Sequence, residues 1–163
     1  MLELESGCGP PAGGAALPVE MNGKIERLED RLLQVNQVEV PLSHRFAPGV
    51  YLREVLMRAG TFVIGHEHKT EHFNIVLTGR ASVMLEDGKV QEIVAPCTFV
   101  SHAGVRKVLY IHEDMIWQTV HPTEETDVDK LEAALIVKSV SFLKHEKLLE
   151  DIRQHLELTL WPL

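Results

Sequence analysis

The sequence has no long hydrophobic stretch. Every apolar run is short, whereas a transmembrane helix needs about 20 consecutive apolar residues, so neither a membrane span nor a membrane partner is predicted. Cysteine is also scarce, because Cys8 and Cys97 are the only two and share no motif, unlike the dense spacing of disulfide-rich secreted domains. Residues 1–5 lack the positive region of a secretory signal peptide. These features together predict a cytoplasmic location.

Positive charge is in short supply. The chain has 16 Lys and Arg against 24 Asp and Glu, for a net charge of −8. Nucleic-acid binding depends on a cluster of basic side chains that neutralises phosphates, and the best local cluster is only the pair Arg106-Lys107. No nucleic-acid partner is therefore predicted. With 45% hydrophobic residues in 163, the chain has enough apolar material for the core of one domain.

The chain divides into four predicted regions. Residues 1–20 are rich in Gly, Pro and Ala and are predicted to form a flexible tail. Residues 21–37 place apolar side chains at helical spacing and are predicted to form an N-terminal helix. Residues 38–122 hold short apolar runs broken by Gly, Pro and Asp, a pattern typical of an all-β sandwich or barrel. Residues 123–163 return to helical spacing and predict a C-terminal helical extension.

Two turns are predicted inside the β region. Asp87-Gly88 is a strong signal for a hairpin turn. The polar segment His112–Asp114 is interpreted as a second, solvent-exposed turn between two strands.

The C-terminal extension is predicted to contain two helices. Thr126 is a suitable N-cap for the first helix, whose predicted buried stripe comprises Leu131, Ala134 and Leu135. The second helix is predicted over about residues 141–158, with an apolar face of Leu148, Leu149, Ile152 and Leu156. More apolar residues follow at 158–163. One barrel has limited surface to bury this area, so a homodimer or higher homo-oligomer is predicted.

Three histidines carry the clearest chemical signal. His66 and His68 are two apart at the end of the apolar run 61–64, so in a strand they point to the same face. His72 begins a second apolar run that ends at Thr78. If the two runs pair antiparallel, the three imidazoles converge on one point. Neutral imidazole suits Zn, Fe, Cu or Ni, so a divalent transition metal is predicted there.

The complete pattern is Gly60-x5-His66-x-His68-x3-His72-x6-Gly79. It resembles the first motif of the cupin superfamily, Gly-x5-His-x-His-x3-4-Glu-x6-Gly. The one departure is that His72 replaces the ligand glutamate; Glu71 is adjacent but one residue out of register. The resemblance implies an all-β core of the cupin jelly-roll type with flanking helices. It also implies one divalent metal, Fe, Zn, Mn or Ni, held by His66, His68 and His72.

The second cupin motif is degraded. Gly104 is the only fixed position retained, while His102 stands in place of a proline, Lys107 in place of the fourth ligand and Ile111 in place of an asparagine. Segments 104–110 and 117–122 are similar to small cupin-like proteins of tailed phages and prophages, a group without an assigned activity. That resemblance implies a phage or host protein as partner, and the host cytoplasm or the virion as location.

Several further residues are candidates for the site. His102 and His121 are candidate additional metal ligands. Lys107, Asn74, Arg53 and Tyr51 are candidates for binding a small anionic ligand. A protonated lysine beside a metal would be repelled by several kcal/mol even at an effective dielectric near 20. Lys107 is therefore expected to be deprotonated, to point away, or to be separated from the metal by an anion.

Two functions remain open at this level. The first is a metal-binding cupin of unknown activity, which serves as a binding or assembly-associated phage-type protein; the erosion of the second motif favours it. The alternative is a metal-dependent enzyme acting on a small, anionic substrate. That enzyme would resemble the three-histidine dioxygenases, or act as a zinc-dependent hydrolase or isomerase.

Overall fold

The computed structural model describes residues 19–84 and 90–160. Most of the predicted flexible tail, and the predicted Asp87-Gly88 turn, lie outside the described residues. The elements in chain order are α1 Val19–Leu32, β1 Leu42–Ala47, β2 Val50–Met57, β3 Phe62–Ile64, β4 Glu67–His68, β5 His72–Met84, β6 Val90–Val94, β7 Cys97–Ser101, β8 Val108–Pro122, α2 Val128–Leu135, β9 Ile136–Val137 and α3 Val140–Leu160.

Two long antiparallel strands, β5 and β8, organise the barrel. Their register runs from Phe73 opposite Val120 to Met84 opposite Val108. One end of this pair is extended by β7 beside β5 and by β2 and β1 beside β8. The other end is extended by β6 and β3. The predicted all-β core with flanking helices is confirmed.

The barrel bends where β5 changes partners. Register shifts occur between Val76 and Ala81, around Gly79, whose φ is 89°. This backbone region strongly favours glycine. The bend lets both ends of the β5–β8 pair enclose one core, whose buried members are Met57, Val76, Ala81, Val83, Ile93, Cys97, Leu109, Ile111, Met115 and Trp117.

The predicted hairpin between the two histidine runs is wrong. β3 pairs with β8, and β4 pairs with β9 of the C-terminal extension. β5 instead pairs with β6, β7 and β8. The predicted turn at His112–Asp114 is also wrong, because these residues lie within the continuous strand β8. Their polarity reflects an exposed stretch at the bend, where Glu113 and Asp114 point to solvent.

Helices flank the barrel at both ends of the chain. In α1, Ile25 packs against Val108, and Glu29 forms a buried ion pair with Arg106. α2 begins one residue later than predicted, because the carboxylate of Asp127 caps it by accepting from the Lys130 N–H at 3.1 Å. Of its predicted buried stripe only Leu131 is fully buried, and Ala134 is exposed. Among the described residues, no helix has both the length and the apolar character of a membrane span.

Candidate metal centre

Three histidines from three different strands converge inside the barrel. They are His68 on β4, His72 at the start of β5 and His121 near the end of β8. One nitrogen from each ring lies within 4.8 Å of the other two. The ring centroids of His68 and His72 are 4.1 Å apart, and those of His72 and His121 are 5.0 Å apart.

The strand register explains this convergence. Phe73 of β5 lies opposite Val120 of β8 in an antiparallel pair. His72 precedes Phe73 and His121 follows Val120, so the two histidines are neighbours across the same pair of strands. His68 is fixed separately by main-chain bonds on both sides of it. Its carbonyl accepts from the Gly104 N–H at 2.8 Å, and the next residue, Lys69, donates to the Leu135 carbonyl at 2.8 Å.

Each of the three rings has a buried nitrogen without a partner. The His72 Nδ1–H donates to the Thr70 carbonyl at 3.0 Å, which leaves Nε2 as an unprotonated acceptor. That Nε2, like Nδ1 of His68 and Nδ1 of His121, is buried and has no hydrogen-bond partner. Buried polar atoms are nearly always paired in folded proteins. Three neighbouring histidines that each keep one ring nitrogen unpartnered fit the donor set of a transition-metal ion.

The electrostatics of the cluster keep these rings neutral. Burial, followed by the neighbouring His72 and His121, lowers the pKa of His68 to about 2. Burial, followed by His72 and Arg53, lowers the pKa of His121 to about 4. Burial also lowers the pKa of His72. A metal binds the neutral form of imidazole, so the rings need not lose a proton first at neutral pH.

The spacing of the ligand atoms is slightly wide for an ion. Metal–nitrogen bonds of about 2.0–2.1 Å place tetrahedral ligand atoms about 3.3 Å apart. The observed spread of up to 4.8 Å would therefore have to contract by up to about 1.5 Å. Small rotations of the three rings can supply that change, so the residues fit the group.

His66 lies outside this group. It belongs to neither β3 nor β4, because the strand is interrupted before it, so the two-residue alternation that paired it with His68 does not apply. Its ring packs edge-on against Phe142 of α3, with centroids 4.7 Å apart. His66 nevertheless lines the same cavity as His68 and His72, and its Nδ1 is also buried without a partner. The structure thus brings together two of the three predicted ligands, and His121 supplies the third nitrogen.

The other predicted residues divide between the site and its surroundings. His102 bonds to Glu71 and is not part of the group. Asn74 is a buried, satisfied amide, because its Oδ1 accepts from Trp117 Nε1 at 3.0 Å and its Nδ2 donates to Ser101 Oγ at 2.9 Å. The Tyr51 hydroxyl is hydrogen-bonded to His44 at 2.7 Å. The Tyr51 ring stacks on His121 with centroids 6.0 Å apart.

A cavity of about 120 Å³ adjoins the histidines. Two cationic side chains, Arg53 and Lys107, line it together with His66, His68 and His72. Burial lowers the pKa of Arg53, and burial lowers the pKa of Lys107 to about 8. Because Lys107 lines the cavity, the explanation that it points away from the site does not apply.

The C-terminal extension covers the site from outside. Leu131, Glu132 and Ile136 join His68 and His121 around a second cavity of about 30 Å³. The contribution of Phe142 to the surroundings of His66 comes from the same extension. Sequence reasoning missed these contacts, since none of these residues of the C-terminal extension belongs to a motif.

Comparison with solved structures returns cupin proteins. A cupin domain from Bordetella pertussis is 11% identical, with a TM-score of 0.44 over 55% of this chain and 98% of that one. A cupin-2 domain containing protein from Shewanella frigidimarina is 17% identical, with a TM-score of 0.41 over 63% and 99%. Ectoine synthase from P. lautus is 13% identical, with a TM-score of 0.47 over 65% and 82%. Similarity at this level concerns the fold alone. No family model and no curated protein matches the sequence.

Proposed function

We propose that this chain is a metal-binding cupin in which His68, His72 and His121 hold one divalent transition metal. The observation that carries the proposal is the grouping of His68, His72 and His121, which each offer one ring nitrogen within 4.8 Å of the other two. Each of these rings also has one buried nitrogen without a hydrogen-bond partner among the described residues. Iron, zinc, manganese and nickel are the candidate ions. The role we favour is binding or assembly within a phage-type system, with a phage or host protein as partner.

The chain's own residues would orient the ligands before the metal arrives. The Thr70 carbonyl fixes the tautomer of His72, the arrangement by which outer hydrogen bonds usually orient ligating histidines. The stacked ring of Tyr51 supports His121 from behind. A bound divalent ion with three protein ligands supplies Lewis acidity and open coordination positions.

One observation favours a second candidate function, a metal-dependent enzyme. Lys107 lies in the cavity beside the histidines, and burial lowers its pKa to about 8. A group with a pKa near neutral can both accept and donate a proton, which suits general acid–base catalysis. A three-histidine dioxygenase-like activity or a zinc-dependent hydrolase or isomerase activity would use such a residue.

Metal analysis of protein purified without an affinity tag tests the proposal. We expect about one equivalent of a transition metal per chain. His68→Ala and His121→Ala should each weaken metal binding by more than about 100-fold, since even outer-shell partners contribute 10- to 100-fold. His145→Ala, which changes a histidine on α3 outside the group, is the matched control and should keep the metal.

His66→Ala separates the two ligand sets. If the structural group is the binding site, this variant keeps the metal; if the sequence-predicted set of His66, His68 and His72 is correct, it loses the metal. A wild-type protein that takes up no divalent ion, or a His68→Ala variant that binds as tightly as His145→Ala, would refute the proposed function.

A further inference from the structure

The cavity beside the histidines has an unbalanced charge. Arg53 and Lys107 are both part of its wall. Among the residues that the structure describes, no Asp or Glu lines it. This imbalance is unexpected in a chain with a net charge of −8.

Neither cation has a partner elsewhere in the described chain. Five other arginines are paired with carboxylates: Arg45, Arg58, Arg80, Arg106 and Arg153. The side chains of Arg53 and Lys107 form neither an ion pair nor a hydrogen bond with the described residues. The carboxylate of Glu132 lines the adjoining smaller cavity and favours the charged form of the Arg53 guanidinium electrostatically. A cation that is half-buried and has no direct ion pair is less stable than one in water, so the fold holds these two charges at a cost. A ligand that carries the opposite charge would remove that cost.

We infer that this cavity binds a small carboxylate, with its charged group between Arg53 and Lys107. The inference rests on the proposed function, because the carboxylate would lie beside the metal and separate it from the Lys107 ammonium. The guanidinium fork of Arg53 matches a planar carboxylate in a bidentate manner. Lys107 supplies a second, point-like charge.

The shape of the cavity limits the rest of the ligand. A volume of about 120 Å³ corresponds to about four waters at their liquid volume, and a 150 Å³ cavity accommodates benzene. The ligand therefore has about four to six non-hydrogen atoms by this comparison. The remaining wall is mainly apolar and includes Met57, Val63 and Leu109. A monocarboxylate with a short aliphatic chain, such as propionate, fits both the charge and the surface.

Calorimetric titration with propionate tests the inference. The comparison compounds are propionamide, which has the same shape without the charge, and inorganic phosphate, which has charge without the apolar part. We expect propionate to bind and propionamide not to bind. Lys107→Met and Arg53→Met should each weaken propionate binding at least about tenfold, since each removes a charged hydrogen-bonding group. Lys144→Met, at an exposed lysine of α3, is the control and should bind like the wild type.

A second readout separates loss of the ligand site from loss of the fold. Lys107→Met removes a half-buried cation that has no ion pair, so its melting temperature without ligand should equal or exceed that of the wild type. The metal content of Lys107→Met should also match the wild type, because Lys107 is not in the histidine group. A variant that loses propionate binding but keeps its metal and its melting temperature supports the inference.

The outcomes for metal and carboxylate are distinguishable. If the wild type holds no metal but binds propionate in a Lys107-dependent way, the proposed metal function fails and the carboxylate site stands. If the wild type holds metal but binds no propionate, the proposed metal function stands and the carboxylate site fails. Equal binding of propionamide, preferential binding of phosphate, or unchanged propionate affinity in both Met variants would overturn the inference.

Discussion

Burial determines the protonation state of the clustered histidines. His72 and His121 are 3% and 1% exposed, so a proton on either ring would add a charge that water cannot solvate. The unfolded chain has no such penalty, and its histidines titrate near pH 6.5. The folded and unfolded states therefore bind different numbers of protons between pH 6.5 and the depressed values.

This difference predicts a pH dependence for the metal-free protein. The pKa of His121 is lowered to about 4, so between about pH 6.5 and pH 4 the unfolded state binds more protons than the folded state. The histidine contribution to the free energy of unfolding should then be constant above pH 7. It should fall as the pH is lowered through 6 and 5. Thermal melting of metal-free protein at pH 7.5, 6.0 and 5.0 measures this fall. Each kcal/mol lost from the free energy of unfolding should lower the melting temperature by about 2–4 °C.

The variant His121→Gln provides the comparison. It removes one titrating ring, so the melting temperature should change less steeply with pH than in the wild type, whatever its starting value. An identical slope in the two proteins would contradict the depressed pKa of His121.

The residues of the site were partly predictable from sequence. The motif spacing selected His68 and His72, because fixed glycines at both ends restrict where the histidines can lie. It could not exclude His66, because strand alternation holds only within a continuous strand and the strand is interrupted at Gly65 and His66, between β3 and β4. His121 is 49 positions from His72 along the chain, and only the β5–β8 register brings them together.

At the scale of elements, the bend of β5 depends on one glycine. A Cβ at Gly79 would lie 2.5 Å from the Asp114 carbonyl oxygen and 2.8 Å from that of Glu113. Gly60 also has a positive φ, of 82°, but a Cβ there would meet nothing within 4 Å. A substitution at Gly60 therefore tests backbone strain alone, whereas the same substitution at Gly79 tests backbone strain together with steric overlap.

We predict that Gly79→Ala destabilises the protein far more than Gly60→Ala. Both variants pay about 1–2 kcal/mol for a left-handed non-glycine residue. Only Gly79→Ala must also move the β8 backbone, which we expect to add about 2 kcal/mol or more. Urea denaturation measures both values. Equal losses in the two variants would show that the bend does not require the close approach of β5 and β8.

The C-terminal extension shows where sequence reasoning ends at this scale. Its helices were predictable from apolar periodicity, and the observed bounds of α3 lie within two residues of the predicted ones. Its docking on the site was not predictable, because the pairing of β4 with β9 involves only two residues from each strand. Such short strands carry too little pattern to indicate a partner.

At the scale of the whole molecule, α3 presents an uncovered apolar face. Leu148, Leu149, Ile152 and Leu156 are each 46–55% exposed in the single chain. In the described residues, the chain's own barrel therefore does not bury this face. Contact with a second copy would remove it from water, and a two-fold contact is the commonest arrangement.

We predict that the full chain is at least a dimer in solution and that a chain truncated after Lys138 is a monomer. The double variant Ile152→Glu and Leu156→Glu should also be monomeric, because it places charges on the apolar face of α3 while leaving the rest of the chain intact. Light scattering gives the mass of each. Lys144→Glu, on the same helix, is the control and should remain associated.

Two results would contradict this prediction. A monomeric full-length protein would rule out association through any surface. A dimer that persists in both the truncated chain and the double glutamate variant would show that α3 is not the contact.

The pairing of β4 with β9 also has a consequence for the order of events during translation. The ribosome completes β8, and with it His121, before it adds α2, β9 and α3. Chains grow at about 5–20 residues per second, so Val137 follows Pro122 by on the order of a second. During that interval His68, His72 and His121 are already synthesised while the segment that covers them is not. If the proposed metal site is correct, all three of its ligands are therefore synthesised before the segment that covers them.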